Sequence, residues 1–443
     1  MRKYLMMIVS VVAALLLVAC QPEVKGYEYD FSQDNREPTK IVVWVDDDEG
    51  FMMKEMIEEF NLIHPNIIVE WAHMGAVDAI NQLQMSGPSG NGADVFQFPH
   101  DQLARALRHD LLLSLPDRVV ESLRERINPT ALQVATACYD SKKAEQGQNP
   151  FDCETGKESV FAVPIAVESV ALFYNKDLID EPAKTWDELL EKGYEYLEET
   201  GNFYFNTNWN DSYFINFILS AHGYIPFGET MKDPDNVGLN SQEVINALKW
   251  LRDNIVPYYG SGSNAGAIQE KADSSFEEGT TPYIITGPWR IATYMSKGLN
   301  VGVTTIPSMN IDGKEVMPKP FMGAQMLGVY KESKKVEAAL TFIEFWNSDK
   351  GLEIQFKHKG RIPALKEEYM KNIPGVKDDE LVQGIIEQLQ YTIPMPTIAE
   401  VDHYWEPVRI MINDVWSGGL TPEEAAQKAE NGYNQRRNLT QGK

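Results

Sequence analysis

The sequence predicts an α/β protein made of two domains. Three observations carry that expectation. Short β-branched, apolar runs alternate with helix-period segments along most of the chain. Its 443 residues exceed the roughly 100–200 of one ordinary domain. Of these residues 43% are apolar, enough for a substantial core.

The elements follow in order. Residues 39–45 (Thr-Lys-Ile-Val-Val-Trp-Val) read as a buried strand. Met56, Ile57 and Phe60 recur at helical spacing within 55–61. Residues 67–71 and 94–98 read as the next two strands, and 103–112 as a helix. Further strands are expected at 160–163, 169–174 and 282–286. Thr185 and Glu188 make a capping box that opens a helix. Residues 336–346 and 381–389 carry amphipathic helix patterns. Strand followed by helix, repeated, predicts largely parallel sheets. The Gly/Ser stretch 260–266 reads as a loop, because strand and helix signals resume beyond it.

The first twenty residues read as an address. Arg2 and Lys3 precede an apolar run that is too short to span hydrocarbon. It ends Leu17-Val18-Ala19-Cys20, which resembles a bacterial lipobox. That predicts a signal peptide over 1–19, lipidation at Cys20 and a tether over 20–38. A plain signal peptide or an uncleaved anchor is the competing reading. Cys138 and Cys153 flank a polar, loop-like stretch. In an exported chain such a pair is expected to form a disulfide, with two reduced thiols as the alternative.

Charge narrows the partners. The formal net charge is −25, and loss of Arg2 and Lys3 with the signal peptide takes it to −27. Nucleic acid and anionic lipid surfaces both call for basic protein. Solubility explains the acidity most simply. No cofactor or metal is expected, since the seven histidines are scattered and no phosphate loop, nucleophile elbow or His-Glu-x-x-His is present.

An ordered set of motifs then becomes specific. These are Lys40-Ile41-Val42-Val43-Trp44, Pro164-Ile165-Ala166-Val167-Glu168, Tyr174-Asn175-Lys176-Asp177-Leu178 and Lys184-Thr185-Trp186-Asp187-Glu188. Gly287-Pro288-Trp289, Lys319-Pro320-Phe321, Met395-Pro396, Trp405 and Arg409 complete it. In that order they resemble the maltose-binding protein family of solute receptors. The resemblance implies the periplasmic-binding-protein fold, with two discontinuous α/β lobes joined by a hinge around a ligand cleft. The lobes would be 39–166 plus 321–370 and 167–320 plus 371–443. It further implies a monomeric receptor, anchored to the membrane by lipid on the outer face. The receptor would deliver maltodextrin-like oligosaccharide to the permease subunits of an ATP-binding cassette importer.

Sugar chemistry selects the candidate residues. Carboxylates accept charge-assisted hydroxyl hydrogen bonds, and aromatic rings cover the C–H faces of a pyranose. Open α/β sheets place such groups on loops beyond strand ends. Glu168 stands out first, as an acid at the end of an apolar run. By resemblance, Asp48, Asp101 and Asp211 hold hydroxyls, Phe98, Tyr213, Trp289 and Trp405 supply rings, and Arg409 orders the site. Helix capping competes for Asp101, and Trp209 either adds a platform or packs. Tyr404 is a reserve candidate. The chain departs from the family at Glu49, Gln102 and Ile291, which stand where lysine, arginine and tryptophan are usual. These departures leave a cyclic or β-linked glucan as an alternative ligand. A glycoside hydrolase would also need paired carboxylates, but the motif order favours capture over catalysis.

Overall fold

A computed structural model describes residues 38–440, except 141, 144–145, 147–149, 152–157 and 261–262. The signal segment, Cys20 and the tether up to residue 37 lie outside the described residues. Cys138 is disulfide-bonded, while Cys153, its expected partner, lies outside them. Among the described residues no helix is long and apolar enough to cross a membrane.

The strands run in chain order as follows. β1 is Thr39–Val45, β2 Ile67–His73, β3 Val95–Pro99, β4 Thr136–Ala137 and β5 Ser159–Val160. β6 is Ala162–Glu168, β7 Ala171–Asn175, β8 Phe205–Thr207, β9 Tyr283–Thr286 and β10 Val301–Thr304. β11 is Met309–Ile311, β12 Lys314–Val316, β13 Phe321–Val329 and β14 Ile393–Pro394. The larger sheet has the order β14-β13-β3-β1-β2, with β6 also paired to β13. The second sheet has the order β10-β7-β9-β8.

The sheets are mixed, which corrects the expectation of largely parallel pairing. β1 is parallel to β2 and β3, but β13 runs antiparallel to both β3 and β6. In the second sheet β7 is antiparallel to β9 and β10. β13 enters from a distant part of the chain, so strand-helix alternation could not fix its direction. β13 is buried along its whole length, as a central strand covered on both faces should be. The register between β6 and β13 shifts beside Pro164, which has no N–H to give the ladder. Here the carbonyl of Ile165 accepts a 2.8 Å bond from Gln355 instead.

Helix expectations hold in position and differ at the ends. The first helix runs Phe51–Ile63, longer than expected. The one expected over 103–112 stops at Arg108, and Leu112 instead forms a β-bridge with Tyr330. Helices Val336–Trp346 and Glu380–Leu389 lie where the apolar period put them. At Trp186–Thr200 the Thr185 hydroxyl accepts from the Glu188 N–H at 3.1 Å.

Two strand ends meet at the crossing between sheets. β6 ends at Glu168, and only Ser169 and Val170 separate it from β7. The Ser169 hydroxyl fixes this crossing by donating to the carbonyl of Phe321 at 2.9 Å. The C-terminal ends of β1, β3 and β6 share one edge of the first sheet. The C-terminal ends of β8 and β9 share an edge of the second with the start of β7. Both edges therefore meet at the Glu168–Ala171 crossing, where open α/β sheets bind ligands.

Candidate functional site

A hydrogen-bond relay runs across the first sheet to Glu168. The N–H of Asp46 donates to Gln97 Oε1 at 3.2 Å. Gln97 Nε2 donates to Gln325 Oε1 at 3.0 Å, and Gln325 Nε2 donates to Glu168 Oε1 at 2.9 Å. Gln97 and Gln325 are buried, so their amides need these partners. Each uses one donor and one acceptor, which gives the relay a direction that ends on a carboxylate. Burial pushes the Glu168 carboxyl up from its usual range. The charge of Arg361 and the bond from Gln325 pull it back, and Asp46 adds to the rise.

Asp101 lies in the turn after β3. Burial and then the charge of Asp402 push its carboxyl up to about 7, with Glu168 adding to the rise. Bonds from the backbone N–H groups of Asp101 and Gln102 pull it partly back. Its neighbour His100 is fully enclosed and accepts a 2.9 Å bond from the N–H of Ala324. Burial lowers the His100 imidazole to about 4, so it is neutral at physiological pH.

Asp48 sits on the rim with its side chain 72% exposed, 3.2 Å from Lys359 Nζ. That bond holds its carboxyl below the usual range. Among the described residues no set of three His, Cys, Asp or Glu side chains is placed to hold a metal ion. Asp46, Asp47 and Asp48 turn instead to Arg361 and Lys359.

Helix Ser212–Ala221, the turn after β9, the start of β13 and helix Trp405–Trp416 together supply an arc of rings. Trp289 and Tyr213 have centroids 6.5 Å apart, and Trp289 meets Phe214 edge-on at 6.2 Å. Tyr213 and Phe321 lie near parallel at 6.2 Å, and Phe321 meets Trp405 edge-on at 6.0 Å. Phe321 is buried, while Trp289, Tyr213, Phe214 and Trp405 keep part of their surface open. Gly287 makes the placement of Trp289 possible: a Cβ there would lie 2.1 Å from the indole ring. The carboxylates meet the arc at Gly323, whose side-chain position is 3.3 Å from Glu168 Cγ and 3.6 Å from Tyr213 Oη. Burial and then the charge of Glu168 hold the Tyr213 phenol far above its usual pKa, so it remains a donor. It donates to the carbonyl of Phe321 at 3.2 Å.

Glu168, Asp101, Tyr213, Trp289 and Trp405 thus gather around one crossing, with Asp48 at the rim. Three expected site residues do otherwise. Phe98 is fully buried against Phe96 and has no face left to stack. Asp211 is the N-cap of helix Ser212–Ala221, accepting from the N–H of Tyr213 at 2.8 Å and of Phe214 at 3.3 Å. Arg409 forms a bidentate pair with Glu406 at 2.8 and 2.6 Å, three residues away on its own helix. Tyr404 and Trp209 are both core. Ile291 packs against Gly360. Sequence reading missed Gln97, Gln325, Lys359 and Arg361. A lone amide within an apolar strand was a readable signal for the two glutamines, as it was for Glu168. Lys359 and Arg361 carry no such signal.

Two α/β layers opening on a shared acidic and aromatic cleft define a two-lobed binding protein. The family model for bacterial extracellular solute-binding proteins matches residues 55–383, and the chain belongs to that family. It is 27% identical to the galactooligosaccharide-binding protein of Bacillus subtilis (strain 168), over 94% of this chain and 93% of that one. It is also 27% identical to a maltooligosaccharide ABC transporter solute-binding lipoprotein of Streptococcus pneumoniae, over 95% and 93%. A solved cyclo/maltodextrin-binding protein complexed with maltotetraose matches with TM-score 0.73 and 27% identity, covering 91% of this chain and 98% of that one. The architecture is the two-lobed periplasmic-binding fold.

Proposed function

We propose that this protein is the exported, lipid-anchored receptor of an ATP-binding cassette importer, and that it captures a maltodextrin-type oligosaccharide. Cys20 carries the lipid. The lobes 39–166 plus 321–370 and 167–320 plus 371–443 close on the sugar, and the closed form docks on the permease subunits as a monomer. The observation that carries the reading is the meeting of Glu168 and Asp101 with the Tyr213–Trp289–Trp405 arc. Ionised acids suit hydroxyls and rings suit pyranose faces. The named ligands of its relatives, maltooligosaccharide and galactooligosaccharide, are both neutral sugars and support this class. The galactooligosaccharide relative, with Glu49, Gln102 and Ile291, favours a second reading in which the linkage differs.

The test is calorimetric titration of the chain from residue 21 with maltose, maltotriose, a cyclodextrin and a galactooligosaccharide. The expected result is tight binding of a maltodextrin with no breakdown product. Heat only with the galactooligosaccharide would replace the ligand, and turnover of any sugar would replace the receptor by an enzyme. Trp289→Ala and Trp405→Ala should each weaken binding about tenfold or more while leaving the thermal midpoint nearly unchanged. Unchanged affinity in both would remove the stacking role.

A further inference from the structure

Helix Asp349–Lys359 ends at Gly360, whose φ of +60° is the left-handed turn that glycine tolerates. The three residues at this turn each meet a different part of the site. Lys359 Nζ lies 3.0 Å from Asp47 and 3.2 Å from Asp48. Gly360 packs against Ile291, two residues beyond Trp289. Arg361 is buried, and its Nη2 donates to Asp46 Oδ2 at 3.1 Å. The carbonyl of Ile362 accepts from the N–H of Val167 at 2.9 Å, which ties the turn to the strand ending in Glu168.

We propose that Arg361 is a positioning residue of the sugar site, which holds the Asp46 carboxylate in place and, through the turn tied to the strand that ends in Glu168, sets Glu168 to accept sugar hydroxyls. This rests on the carbohydrate-receptor reading. The groups around Glu168 come from every side: Gln325 from β13, Asp46 after β1, Asp101 after β3, Tyr213 from helix Ser212–Ala221 and Arg361. Burial favours the neutral acid, and a proton on Glu168 would remove the charge that strengthens its hydroxyl bonds. Arg361 is the positive group in that set. Its guanidinium is always charged and planar, so it holds Asp46 while its field reaches Glu168.

The test follows the Glu168 carboxyl by carbon-13 NMR in the full chain purified in detergent, with Glu168→Gln locating the signal. Maltotriose affinity is measured against pH in parallel. In Arg361→Gln the Glu168 midpoint should rise by about one pH unit, with affinity at pH 7 falling about tenfold. In Asp46→Asn, which removes a like charge, the midpoint should fall, and Arg361→Lys should restore most of the original value. Opposite shifts distinguish positioning from simple loss of packing. An unmoved midpoint in Arg361→Gln, or same-direction shifts in Arg361→Gln and Asp46→Asn, would overturn the proposal. If Arg361→Gln fails to fold, Asp46→Asn and Arg361→Lys decide it. Absence of sugar binding by the unsubstituted chain would overturn the receptor reading instead, and the NMR midpoints would still decide the role of Arg361.

Discussion

Because the Asp101 carboxyl is raised to about 7 from an ordinary 3.8, the folded chain keeps a proton there that the unfolded chain gives up near pH 4. The sign of the linkage follows. The stability from this group is full below the unfolded value and is lost as pH rises through the folded one. Between about pH 4 and pH 7 the chain should therefore lose stability through Asp101. Asp101→Asn removes the titration without changing the shape, and should stabilise the chain at pH 7.5 by roughly 2–4 kcal/mol. Denaturant melts of both proteins at pH 5 and pH 7.5 check this, and an equal gain at the two pH values would contradict it. The same variant should bind sugar less well, because an amide accepts hydroxyl bonds without charge. At this scale Glu168 was legible because an acid ending an apolar run needs a reason. Phe98 lies in the core and Asp211 caps a helix, because core aromatics and caps are written with the same residue types as platforms and ligands.

Helix ends and tight turns aim the site, and their parts can be tested separately. Asp211 caps helix Ser212–Ala221, which carries both Tyr213 and Phe214. Asp211→Ala should cost about 1 kcal/mol of stability, while Asp211→Asn, which still accepts from the same N–H groups, should cost much less. Chemical denaturation of both variants checks the difference. If the carboxylate instead binds ligand directly, Asp211→Asn should lose affinity while keeping stability. Gly287 gives a sharper case, since an added methyl would meet the Trp289 ring at 2.1 Å. Gly287→Ala should displace the indole and lower sugar affinity about tenfold or more, with a modest change in the melting point. Tryptophan fluorescence and titration together read both effects. The strands and long helices were legible because their periods are local. The Lys359–Arg361 turn was not, because its meaning depends on loop 46–48 and Glu168, far away in sequence.

Across the whole molecule, alternation of strand and helix made the α/β class readable, and the antiparallel entry of β13 was invisible to it. The same long-range packing has a thermodynamic consequence. Two sheets suggest two unfolding units, yet one buried apolar cluster includes Ile41 and Phe96 of the first sheet along with Phe173 and Val303 of the second. Gly375 lies against the ring of Phe356 on helix Asp349–Lys359, with 3.2 Å left for a side chain. A few residues later, Gly384 on helix Glu380–Leu389 lets that helix press on Val303 of β10, where a side chain would come within 2.2 Å of the carbonyl. Gln388 on the same helix accepts from the N–H of Ile306 at 2.7 Å. Exposing one sheet therefore uncovers apolar surface that the other needs, which couples their unfolding. Calorimetry should show one transition with matching calorimetric and van't Hoff enthalpies. Sugar at a hundred times its dissociation constant should add about 2.7 kcal/mol and move that single transition upward by a few degrees. Two resolved transitions, with only one moved by ligand, would mean that the packing at Gly375 and Gly384 is too weak to join the lobes.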